Sequence, residues 1–293
     1  MFADDFTKGP VPHTYQHSAL WLASIIIGIA VCLPVFVYGG QIAAQLSFGP
    51  MIIALVLGGV ITGILMGITT GIGAATRLSA TLLAQKIFGT AGGVTVMIAA
   101  IVTSLGWWGV QTEIMVSTFV DIAKTTYGVD LNKVLMTALA GSLMITTTLV
   151  GASVIGRLSI IAVPLMLIML LIPFALMPGG VDVQKIVGHT VEQPTSIGLV
   201  VGGMVGAWMS GIVILSDFGR FTAGFKTAFT GSMIACLVGM TGLMGLSAIL
   251  SIALNAPNFM TALPTLGLGM LALVVVVLAT WTSNDNKGLY QIT

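Results

Sequence analysis

Eight long apolar runs, separated by short polar stretches, dominate this chain. They fall at residues 19–37, 51–72, 94–122, 135–154, 158–176, 197–215, 227–254 and 266–283. A helix rises about 1.5 Å per residue, so roughly 20 apolar residues cross a hydrocarbon core. None of the runs alternates every second residue, as the strands of a membrane barrel do. The pattern predicts an all-α, polytopic membrane protein.

Two runs carry helix-breaking residues in their middle. The first reads IIIGIAVCLPVFVYGG, with Gly28 and Pro34 inside it. The sixth reads VVGGMVGAWMSGIVIL, with Gly202, Gly203, Gly206 and Gly211. Proline removes a backbone donor and obstructs the preceding turn. A broken backbone at membrane depth is tolerated only where protein or a cavity satisfies the freed groups. Broken spans 1 and 6 therefore point to an inverted-repeat secondary transporter with its substrate held between the breaks. The competing reading is that glycines permit close helix packing, and for Gly202 and Gly203 that reading is preferred.

Composition agrees with the pattern. Hydrophobic residues make up 57% of the 293 and charged residues only 6%, against about 25% charged in a typical soluble domain. A formal net charge of +1 gives nucleic acid nothing to bind. Cys32 and Cys236 lie in different spans and match neither a disulfide framework nor a metal motif. Residues 1–18 are polar and acidic, without the short apolar core and cleavage site of a signal peptide. Placing them in the cytoplasm puts Lys8, Arg77, Lys86, Arg157, Arg220 and Lys226 inside, and only Lys124, Lys133 and Lys185 outside. That excess predicts a multi-pass protein of the inner (plasma) membrane with its N-terminus cytoplasmic.

The candidate chemistry starts in the third run, at GWWGVQTE. Trp107 and Gln111 are four apart and share a helix face. An aromatic plane beside an amide suits a flat, polar heterocycle, stacked on the ring and bonded at its edge. A tryptophan packed in the bundle and a glutamine bonded to a neighbouring helix accounts for the pair equally well. Trp208, in the sixth run, is a second plate for a slot, with the Ser210 hydroxyl nearby. At the end of the eighth run, ATWTSNDN offers the Thr282 and Ser283 hydroxyls and, one turn back, the Ala279 carbonyl. Such oxygens suit a hard monovalent cation such as Na⁺, with carbonyls around Gly28 and Cys32 completing the shell. The alternative is a plain helix end emerging into water.

Two charged positions are read structurally. Glu113 lies about 200° round the helix from Gln111, which favours a hydrogen bond to another helix over a proton relay. Asp217 and Arg220, in SDFGRF, are read as a local pair rather than a gate. An intramembrane enzyme would need a nucleophile–base pair or metal ligands in the spans. His13, His17 and His189 all lie outside them.

With GPVP, YGGQIA, GIGAATRLSATLLAQKIFG, GWWGVQ, SDFGRF and TWTSNDN in place along the chain, it resembles the nucleobase:cation symporter-1 family, in its cytosine and purine/cytosine permease branch. The resemblance implies a five-plus-five inverted-repeat fold, with a first repeat at 19–176 and the start of a second at 197–293. It also implies further spans, so that the chain is truncated after about its eighth. The expected activity is symport of a nucleobase or related ring with Na⁺ or H⁺ and no organic cofactor, by a monomer in the bilayer. By the same resemblance Trp107, Trp208, Gln111 and Asn284 contact substrate, and Gly28, Cys32, Ala279, Thr282 and Ser283 fall on the Na⁺ site. Ser104 stands where cytosine-carrying members have glutamine, which leaves purines, hydantoins, allantoin or another pyrimidine open beside cytosine.

Overall fold

The structure, a computed structural model, describes residues 9–150 and 152–284, with the backbone alone for 146–150, 152–163 and 281–284. The described residues are helical, apart from connections and a parallel bridge between His17 and Thr222. The helices are α1 (Ala19–Ala30), α2 (Leu33–Gln45), α3 (Phe48–Thr76), α4 (Ala80–Tyr127), α5 (Lys133–Val150), α6 (Ala152–Leu176), α7 (Val183–Val187), α8 (Ile197–Ile214), α9 (Ser216–Gly219), α10 (Phe225–Ile234), α11 (Thr241–Leu254), α12 (Phe259–Ala262) and α13 (Gly269–Asn284). A π-turn, Ala235–Met240, joins α10 to α11. By length and composition α3, α4, α8 and the joined Phe225–Leu254 are each able to cross a membrane, and α1 with α2 makes a fifth, broken span. Shorter apolar stretches run over Lys133–Ile145, Pro164–Leu176 and Gly269–Thr280.

The first span breaks where expected. Cys32 is extended (φ −147°, ψ 156°) and its N–H donates to Ala30 O at 2.8 Å, off the helical ladder. Pro34 then sits in the first turn of α2, where its missing N–H leaves no ladder bond unmade.

The sixth span does not break. α8 runs without interruption through Gly202, Gly203, Gly206 and Gly211. A helical glycine costs only about 1 kcal/mol relative to alanine, while each backbone group left unsatisfied in lipid costs several. With no proline to remove a donor, the ladder wins. The packing reading of Gly202 finds no support among the described residues, none of which lies within 4 Å of where its Cβ would stand.

Two compact units share the chain in alternating segments. The first takes the described residues up to Gly28, Ala54–Thr103 and Gly198–Thr241; the second takes Ile29–Ile53, Ser104–Ile197 and the described residues from Gly242 onward.

The first unit is organised by glycines on α3. Gly59, Gly63, Gly67 and Gly71 recur every fourth residue and line one face. Onto that face pack Thr241, then Met233 with Cys236, then Phe229, then Phe225. Small residues let helices approach closely where lipid supplies no hydrophobic drive between them. The Thr70 and Ser232 hydroxyls share a buried hydrogen bond of 2.8 Å across the same contact. Near the end of α3, Gly73 lies against Ser216 and Gly219 lies against Thr70. The segment before α1 is pinned here: Val11 N–H donates to Arg77 O at 3.0 Å and His17 N–H to Phe221 O at 2.7 Å. The Asp217 carboxylate accepts the Ala80 N–H at 2.7 Å, capping α4 from outside. The Arg220 guanidinium donates to Asp217 O at 3.1 Å and lies over the Phe221 ring.

α4 is itself folded. Gly89 has φ 73° and ψ 177° inside it, a left-handed φ open to glycine at little cost. Residues 80–88 double back along the arm that follows. The Thr81 hydroxyl meets Met97 Sδ at 3.4 Å, and Gly93 lies against Gln85.

In the second unit, α2 presses Gly39 against Met244 and Gly40 against Pro257. The Ser247 hydroxyl donates to Phe36 O, and the Phe36 and Phe259 rings meet at 6.2 Å. Helix ends are closed by neighbours. His189 Nε2 meets Ala43 O at 2.7 Å, Thr195 N–H donates to Gln45 O at 3.0 Å, and Lys185 Nζ donates to Ala253 O at 2.9 Å. α13 packs on α6 and α2.

Gly73→Ala should destabilise the protein by about 1–3 kcal/mol, because the new methyl meets backbone that cannot move aside. Gly202→Ala, with open space around it, should be neutral or stabilising by up to about 1 kcal/mol. Thermal unfolding in detergent, comparing both with the parent, checks the contrast. Asp217→Ala should cost about 1 kcal/mol through the lost cap. Asp217→Asn keeps an acceptor at the same place and should recover most of it in the same assay.

Candidate functional site

The arm of α4 that follows Gly89 carries Ser104, Trp107, Trp108, Gln111 and Thr118, all in the second unit. At about 100° per residue, Gln111 projects between the two indoles, about 40° from Trp107 and 60° from Trp108. Ser104 and Thr118 fall within about 20° of Gln111 in the same projection. The stripe is one continuous face, as the spacing in the sequence required.

Gln111 is the outstanding member of that face. Its side chain is fully buried, and neither its Oε1 nor its Nε2 has a hydrogen-bond partner among the described residues. The expected alternative, a glutamine bonded to a neighbouring helix, is not what the structure holds. A buried polar group left unpaired costs about 1–3 kcal/mol, so the amide is kept at the expense of stability. Trp107 and Ser104 are half-buried beside it. Two turns on, Thr118 accepts a 3.0 Å hydrogen bond from the Asn258 amide and fastens the face to the start of α12.

Reading the sequence for its plates singled out Trp107 and passed over Trp108. The Trp108 Nε1–H is buried and unpaired, like the Gln111 amide. Its six-membered ring lies over Gly141 of α5, with Cζ2 and Cη2 3.1 and 3.2 Å from where a Cβ would stand. The doubled WW and the glycine at 141 were the available signals.

Glu113 faces away from Gln111, as expected. Its carboxylate accepts the Ser117 hydroxyl at 3.0 Å and the Lys133 ammonium, at the start of α5, at 2.5 Å. This is the expected structural bond to another helix.

The other candidate residues are placed as follows. Trp208 is 8% exposed, in α8 of the first unit. Ser210 does not join it: on a continuous helix a separation of two turns the hydroxyl about 200° away. Gly28 lies in the last turn of α1 and is exposed. Cys32 is fully buried at the break, and its carbonyl accepts from Val35 N–H at 3.2 Å and Phe36 N–H at 3.4 Å. Ala279 is 1% exposed, on α13. Thr282, Ser283 and Asn284 continue α13 as helix, and their side chains lie outside the described residues. The α2–α13 packing thus brings the helices of Cys32 and Ala279 together within the second unit.

Comparison with known proteins gives the family and the fold. The family described as permease for cytosine/purines, uracil, thiamine, allantoin matches residues 10–290. The cytosine permease of Escherichia coli strain K12 is 30% identical over 288 residues, covering 97% of this chain and 66% of that protein. The hydantoin permease of Microbacterium maritypicum is 24% identical over 201 residues, covering 67% of this chain and 40% of that protein. Among solved structures, Mhp1, a nucleobase-cation-symport-1 family transporter in a closed conformation with bromovinylhydantoin bound, matches with a TM-score of 0.76 at 22% identity, covering 97% of this chain and 67% of Mhp1. The inward-facing conformation of Mhp1 matches with a TM-score of 0.81 at 21% identity, covering 97% and 65%. The chain thus spans 66% of the length of the cytosine permease. Its fold is that of these transporters, and with a family match running over residues 10–290, the chain belongs to the family of permeases for cytosine/purines, uracil, thiamine and allantoin.

Proposed function

We propose that this chain forms the substrate-handling part of a secondary active transporter that imports a nucleobase or a related planar nitrogen heterocycle. The observation that carries the reading is the buried, unpartnered Gln111 amide beside the Trp107 indole on one helix face. A ring stacked on Trp107 and bonded at its edge to Gln111 would satisfy what folding leaves unsatisfied. Trp208 is proposed as a second stacking residue and Asn284 as a further polar contact. The names of the relatives, cytosine permease and hydantoin permease, are those of carriers of such rings.

Uptake is driven by Na⁺ or H⁺ through alternating access, which requires that each ligand bind one state better than the other. For Na⁺, the proposed ligands are oxygens of Cys32, Ala279, Thr282 and Ser283, with Gly28 one turn before the break. The protein is taken to lie in the inner membrane with a cytoplasmic N-terminus, following its distribution of lysine and arginine.

The test is thermal-shift binding on the purified protein with cytosine, adenine, guanine, uracil, hydantoin and allantoin, each with and without Na⁺. Gln111→Leu should raise the melting temperature of the unliganded protein, because an unpaired buried amide is gone. It should also weaken binding of the preferred ring about tenfold to a hundredfold. Unchanged affinity in that variant would remove the substrate role. Thr282→Ala combined with Ser283→Ala should abolish any Na⁺-dependent part of the shift and leave the Na⁺-independent part in place. A Na⁺ effect of parental size in the double variant assigns the ion elsewhere.

A further inference from the structure

We infer that Trp108 supplies a third hydrogen bond to the same site and selects rings that carry a cyclic imide edge, O=C–NH–C=O. The inference rests on the proposed substrate role of Gln111. It starts from three buried polar atoms of the α4 face that have no partners among the described residues: Trp108 Nε1, Gln111 Oε1 and Gln111 Nε2. Buried polar atoms in native proteins are nearly always paired. Three orphans from two residues only three apart call for a common partner.

The chemistry of that partner follows from the donors and acceptors. An indole N–H only donates; a glutamine amide offers one acceptor and one donating NH₂. Trp108 and Gln111 are about 4.5 Å apart along the helix axis and about 60° apart around it. With Oε1 turned towards Trp108, the array runs donor, acceptor, donor. Its complement is acceptor, donor, acceptor, which is the order around the N–H of uracil or hydantoin, flanked by two carbonyls. The amino edge of cytosine runs acceptor, acceptor, donor and would leave two of the three positions opposed.

The indole is held for this task. Its six-membered ring rests over Gly141, and a Cβ at that position would touch Cζ2 and Cη2 at 3.1 and 3.2 Å. The Thr112 hydroxyl bonds to the Trp108 carbonyl at 2.8 Å, which ties the turn at its base. A donor fixed by packing binds with less loss of conformational freedom.

Trp108→Phe removes the N–H and keeps a ring over Gly141. Uracil and hydantoin should bind this variant about tenfold more weakly, the value of one hydrogen bond. 2-Pyridone, which has one carbonyl beside its N–H and no second, should bind parent and variant alike. On the parent protein itself, uracil should bind at least about tenfold more tightly than cytosine, a comparison that needs no variant. Equal uracil and hydantoin affinity for parent and Trp108→Phe, or cytosine bound as tightly as uracil by the parent, overturns the inference. If Gln111→Leu weakens ring binding while Trp108→Phe does not, the Trp108 role falls alone. If neither variant changes binding, or the parent binds none of these rings, the wider reading falls with it.

Discussion

Lipid offers a polypeptide neither water for its amides nor a hydrophobic reason for one helix to join another. Both halves of that constraint are visible here. Helix ends are closed by side chains and loops: Asp217 on the start of α4, His189 and Thr195 on the end of α2, Lys185 on the end of α11. Helix association is left to close packing, which the glycine face of α3 provides against α10 and the π-turn. The broken first span restarts economically, with proline placed where α2 has no ladder bond to lose.

Among the described residues the lone hydroxyls of Thr62 and Ser251 are also buried and unpaired, but the face of α4 gathers three such atoms together. A chain that satisfies backbone amides with lysine, histidine and aspartate leaves a whole glutamine amide and an indole N–H buried and unpaired. Local conflicts of this kind mark the places where a sequence gives up stability for something other than folding. The deficit is also well insulated. Thr118 and Asn258 anchor the same face two turns away, and Gly141 seats the indole. Neighbouring Glu113 is occupied elsewhere, by Lys133 and Ser117.

Much of the fold could be read directly from the residues. Runs of apolar residues located the helices because helical span length is dictated by bilayer thickness. Pro34 marked the first break, where it starts a new helix, although proline alone does not decide the matter: α6 continues through Pro164 and Pro173. The sixth span misled because glycine only weakens a helix, and a count of glycines says nothing of whether the ladder holds. Helix continuity then separated Ser210 from Trp208. The four-residue glycine period, GxxxGxxxGxxxG from Gly59 to Gly71, was present to be read and names the α3 packing face directly. The state of Gln111 was not legible. Its partners would have come from other helices, and nothing local tells a bonded amide from an orphaned one. Trp108 was hidden by its neighbour, since either indole of a WW pair satisfies an argument from aromatic planes.

The fold-back at Gly89 sets the length of α4 that is available to cross a bilayer. Taken as one rod, 48 residues of α4 would measure roughly 72 Å, more than twice the thickness of a hydrocarbon core. A counting rule applied to that stretch could assign it two traverses and place its ends on the same side. Because residues 80–88 lie back along their own continuation, they contribute no passage, and the stretch counts once. The stretch therefore divides at Gly89 into a short return over residues 80–88 and one long arm over residues 90–127. A single glycine torsion thus decides how much of this stretch is left to cross.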